Sequence, residues 1–122
     1  MRILAALGVV LTMLISTPAH AEWTAREALA KLDGKDFGEQ AVASAFIHGL
    51  ATGLAWADGY HIVLGQSPMY CPPSKLSLTL QQNVSILREH VKANPQDAHT
   101  QLGRVMVLAY LSVFPCDESG RK

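Results

Sequence analysis

The chain has 122 residues, 49% apolar and 16% charged, with ten basic residues balancing ten acidic ones. A formal charge of zero leaves no basic footprint for nucleic acid. The apolar content is too high for a disordered chain, and the length fits one domain.

Met1–Ala21 carries the parts of a secretory signal in order. Arg2 is the positive n-region, Ile3–Ile15 is an uncharged, mostly apolar run, and Ala19-His20-Ala21 is an A-x-A cleavage site. The run of 13 residues is too short for a membrane span, which needs about 20. Cleavage after Ala21 leaves one domain, residues 22–122, with a net charge of −1 and no membrane span. Both cysteines then enter an oxidising compartment, read here as the periplasm.

The mature chain reads as an all-α domain of four helices. Thr24-x-x-Glu27 matches a capping box and starts the first. Gly34 sits where that helix can end in a left-handed conformation. The second helix is expected from about Asp36 to about Tyr60. Within it, Ala45, Gly49, Gly53 and Ala57 recur every four residues, which places them on one face. Phe46, Leu50 and Leu54 adjoin that stripe. A seam of the G-x-x-x-G kind between membrane helices is one use; tight packing in a soluble core is the other. The many Ala, Gly, Ser and Thr residues, with His48 in the middle, favour the core. Trp56 is expected in the core as well.

Gly59 to Ser77 is punctuated by Gly65, Pro68, Pro72 and Pro73 and reads as a long loop. Leu76, Leu78 and Leu80 alternate as a short strand would. Thr79-x-x-Gln82 is a second capping box, and Asn94-Pro95 ends the third helix. The fourth is expected from Asp97 or Ala98, with Leu102, Val105, Met106, Ala109 and Val113 as its apolar stripe, and Pro115 stops it.

Cys71 and Cys116 bracket the last two helices. Helices of similar length joined by a short turn form an antiparallel pair, which returns the two cysteines to one end. The spacing therefore predicts a structural disulfide closing a C-terminal helical hairpin. A redox pair would show C-x-x-C, and a nucleophilic thiol needs a base. None of His48, His61, His90 and His99 is tied by spacing to either cysteine.

The histidines lack the H-x-x-x-H and H-E-x-x-H spacings that aim two imidazoles at one metal. His90 and His99 flank the turn between the last two helices and are read as solvated. So are Asp33 with Asp36, and Asp117 with Glu118. No phosphate loop, dinucleotide fingerprint or G-x-S-x-G occurs. The sequon Asn83-Val84-Ser85 falls inside a helix and carries no weight. These residues point to a binding protein with no cofactor rather than to an enzyme.

Three elements recur together: Tyr70-Cys71-Pro72-Pro73, the helix end Val91-Lys92-Ala93-Asn94-Pro95, and the closing Val113-Phe114-Pro115-Cys116. With Phe46-Ile47-His48-Gly49 and the leader, they resemble the Rap/Tai family of type VI secretion amidase-immunity proteins. The resemblance spans about 70 residues and carries over the frame Cys71, Pro73, Pro95, Phe114, Pro115 and Cys116. It implies an all-helical periplasmic protein, often dimeric, that covers the catalytic cleft of a peptidoglycan amidase. On that reading the irregular region supplies contacts from Tyr60, His61, Gln66, Met69 and Tyr70, because loops on rigid scaffolds commonly carry function. The small-residue face around Gly49 and Gly53 is the candidate surface for a homodimer. Hde-type periplasmic acid-stress chaperones are the alternative. They are also small, exported, helical and held by one disulfide.

Overall fold

A computed structural model describes residues 22–117. The leader, Met1–Ala21, and Glu118 lie outside the described residues. The described chain folds into four α-helices and no strand: α1 (Ala25–Asp33), α2 (Phe37–Val63), α3 (Leu80–Ala93) and α4 (Leu102–Val113). A short 3₁₀ turn, Pro95–His99, joins α3 to α4.

Both capping boxes form. The Thr24 hydroxyl accepts from Glu27 N, and the Glu27 carboxylate accepts from Thr24 N at 2.7 Å. Thr79 and Gln82 repeat the exchange at the start of α3. Each exchange satisfies amides that a helix start leaves unpaired. Gly34 ends α1, but in extended backbone (φ −67°, ψ 176°) rather than the left-handed conformation expected of it. The next helix starts only three residues later, and its Gln40 side chain donates to Gly34 O.

α2 runs 27 residues, about 40 Å at 1.5 Å per residue, and passes the expected stop at Tyr60. It ends at Gly65, whose φ of 72° allows a Schellman closure: Gly65 N donates to Ile62 O and Gln66 N to His61 O. The loop is correspondingly shorter, and the Leu76–Leu78 alternation forms no strand.

α4 starts at Leu102, later than expected, because residues 95–99 wind into the 3₁₀ turn instead. Its N-cap residue, Gln101, supplies no side-chain bond. The amides are met from across the sequence: Glu22 Oε1 accepts from Gly103 N at 2.6 Å and Trp23 O from Leu102 N at 2.8 Å. Ala25 N donates in return to Thr100 O.

α3 and α4 form the antiparallel hairpin. Tyr110, near the end of α4, donates its hydroxyl to Asn83, in the first turn of α3, at 2.6 Å. Cys71 and Cys116 are bonded, with Cα atoms 4.9 Å apart, and Cys71 N donates to Phe114 O. Ile47 and Ala51 of α2, Leu87 of α3, and Leu102, Val105, Met106 and Tyr110 of α4 meet in one core. Arg88 makes two bonds to the Asp33 carboxylate, at 2.6 and 2.9 Å, so Asp33 is paired rather than simply solvated.

Candidate functional site

The chemistry-bearing residues gather along α2 and beneath the loop that follows it. Ile47, Ala51 and Asp58 are the inward positions of α2 and fix which of its faces points to solvent. Every residue from Ala41 to Ala57 is uncharged, so helical periodicity does not distinguish one apolar face from another.

The outward face carries the residues expected in the core. Trp56 is 76% exposed. Gly49 and Gly53 point away from the rest of the fold, and a methyl added at either would meet nothing within 4 Å. Among the described residues, Gly49 and Gly53 of the small-residue stripe therefore pack against no neighbouring element. Ala45, Phe46, Gly49, Leu50, Gly53 and Leu54 line a shallow apolar groove there. Tyr60, Ile62, Val63 and Leu64 continue the apolar surface to the end of the helix. No helix among the described residues is long and apolar enough to cross a membrane.

The five expected contact residues divide. Tyr60 and Gln66 are exposed and His61 is half-buried. Met69 is half-buried against the core, and its N–H donates to the buried Asp58 carboxylate at 2.6 Å. Tyr70 is 6% exposed and packs against Tyr110, the rings tilted by 45° with centroids 5.1 Å apart. Tyr70 thus belongs to the core and not to the loop's outer surface. The neighbouring disulfide and the Asp58 bond draw this stretch inward.

Between α2 and the loop lies a cavity of about 490 Å³. Ala55 and Trp56 wall one side, Leu76 and Leu78 the other, with Asn83 and Tyr110 among the buried lining. Burial pushes the Tyr110 phenol up to about 12, with Tyr70 adding to the rise. Burial also raises the Tyr70 phenol, helped by the Asp58 carboxylate. Both phenols therefore stay protonated at neutral pH and act as neutral hydroxyls.

His90 corrects another expectation. Its side chain is 8% exposed, and Nε2 lies 2.8 Å from Asp97 Oδ2. The 3₁₀ turn places Asp97 over the end of α3, which draws the imidazole out of solvent. Its Nδ1 is buried without a hydrogen-bond partner. His99 remains exposed. Among the described residues no three His, Cys, Asp or Glu side chains cluster as metal ligands would. Asn83, set aside as part of a sequon, is the buried polar residue of the cavity lining that sequence reasoning missed. An asparagine on the inward side of an amphipathic helix was the available signal.

No family model, no curated protein and no solved structure matches the chain.

Proposed function

We propose that this is an exported, non-catalytic binding protein of the immunity type, which blocks a peptidoglycan amidase delivered by type VI secretion. The observation that supports it is the bare apolar end of α2, where Trp56, Tyr60, Ile62, Val63 and Leu64 are all exposed. Trp56, Tyr60 and Val63 share one face of α2 by their spacing; an exposed apolar face marks an interaction site, and Trp and Tyr are enriched at interface hot spots. Gln66 adds a polar edge, and the Gly65 closure and the disulfide hold the region on a rigid scaffold. The amidase as partner rests on the family resemblance.

Titration of the purified protein into an amidase encoded beside it tests the reading. Stoichiometric loss of peptidoglycan hydrolysis supports it; unchanged hydrolysis with no complex at micromolar concentration overturns it. Suppression of client aggregation near pH 3 would favour the acid-stress chaperone instead.

A homodimer is the second reading, favoured by the spacing on the same helix. Val42, Phe46, Gly49, Gly53, Trp56 and Tyr60 follow a 4-3-4-3-4 pattern on the outward side. An antiparallel copy centred at Ala51 sets Gly49 opposite Gly53, Phe46 opposite Trp56 and Val42 opposite Tyr60. Such self-complementarity suits a two-fold interface. Sedimentation equilibrium of the mature protein, with Gly53→Arg as the disrupting variant, tests it. A wild-type dimer that becomes monomeric in the variant supports it; a wild-type monomer overturns it.

A further inference from the structure

The cavity beside α2 is an independent feature and rests on neither reading above. We propose that it binds a small neutral molecule bearing a primary carboxamide on an apolar body.

Its volume of about 490 Å³ falls in the range of ligand pockets, roughly 300–1,000 Å³. No Asp, Glu, Lys or Arg lines it. A charged ligand would lose its hydration there without gaining a counter-charge. Trp56, Leu76 and Leu78 offer apolar walls for an aliphatic or aromatic body.

His48, Thr52 and Ser77 are exposed parts of the lining; Tyr70, Asn83 and Tyr110 are its buried polar side chains, the last two each 2% exposed and hydrogen-bonded to each other. The Asn83 oxygen accepts the Tyr110 hydroxyl proton at 2.6 Å. The Asn83 amide nitrogen, a two-proton donor, has no acceptor among the described residues. Tyr110 Oη, its proton already committed, retains a lone pair. The buried lining therefore presents a donor and an acceptor side by side. A ligand that matches both makes two hydrogen bonds at side chains that are almost fully buried, where such bonds are stronger than in open water. A primary carboxamide does so: its carbonyl accepts from Asn83 and its syn N–H donates to Tyr110. A trans secondary amide points the two groups in opposite directions, and a ketone or ester has no N–H.

The test is a titration of the full mature protein followed by ¹H–¹⁵N NMR. The probes are 3-phenylpropanamide, the isosteric ketone 4-phenyl-2-butanone, and the anion 3-phenylpropanoate. The carboxamide should give saturable shifts at the Trp56 indole and the Asn83 side-chain amide. It should bind about tenfold tighter than the ketone, and the anion should not bind. Asn83→Asp keeps an acceptor for Tyr110 and removes the donor, so it should abolish the carboxamide's preference. Ala55→Phe, at an exposed wall position, fills the cavity without touching the core and should abolish all binding, whether or not the Asn83 variant folds. Equal affinity for amide and ketone, no saturable shift, or undiminished binding in Ala55→Phe would each overturn the proposal.

Discussion

Tyr110 Oη and Asn83 Oδ1 lie 2.6 Å apart, across the hairpin that ends the chain. The bond joins the end of α4 to the start of α3 inside the protein. Removing the hydroxyl leaves the buried amide unmatched. Tyr110→Phe should therefore lower stability by about 1–3 kcal/mol in urea unfolding. The same phenol predicts an alkaline limit. Its value of about 12 in the folded state exceeds the ordinary value near 10. The contribution is fully present below pH 10 and is lost as pH rises from 10 towards 12. Thermal melts across that window should fall more steeply for the parent than for Tyr110→Phe.

The Cys71–Cys116 bond spans a sequence separation of 45. The chain-entropy estimate for such a loop is about 4 kcal/mol. The double variant Cys71→Ser/Cys116→Ser should lose stability of that order in denaturant titration. The hairpin should loosen first at Phe114 and Tyr70, which hydrogen exchange can resolve.

Thr79→Ala and Trp56→Ala should separate stability from surface function. The first removes a helix cap and should cost about 1 kcal/mol. The second truncates an exposed side chain and should change stability by less than about 0.5 kcal/mol. Trp56→Ala should instead weaken association, read by sedimentation or by amidase inhibition.

The Arg88 hydrogen bonds hold the Asp33 carboxyl below its usual range. That contribution is present above the ordinary Asp value of about 3.9 and is lost as pH falls through the lowered folded value. Both side chains are largely exposed, so the effect is small and should fade in salt. Asp33→Asn should flatten the acid limb of a Tm-against-pH curve measured at low ionic strength.

What could be read in advance was local chemistry. The Thr24 and Thr79 boxes and the Asn94-Pro95 stop each depend on residues three or fewer apart, and each formed as read. The paired cysteines were legible because two matched helices return the chain on itself. The second helix misled for a physical reason: it is apolar nearly all round, so periodicity located the helix without locating its buried side. Trp56, Gly49 and Gly53 were placed inward on that account. Gly65 held the end signal for the same helix, but in sequence it reads as one of several breaks inside a loop already begun at Gly59. Asp97 reached His90 only because five residues wound into a 3₁₀ turn. The Asn83–Tyr110 pair needed the hairpin to exist before either residue could be assigned a role.

Glu22 and Gly103 are 81 residues apart in sequence, yet the first supplies the cap that the last helix lacks. Contacts this distant form slowly, because a long loop must close before they reward it. During synthesis from the amino terminus, Glu22–Ala25 emerges well before Thr100–Gly103, the segment it pairs with. The clasp can therefore be made only near the end of synthesis. Until then both the opening segment and the start of α4 have unpaired backbone groups, so the interval before closure is when a protease has its best access to them.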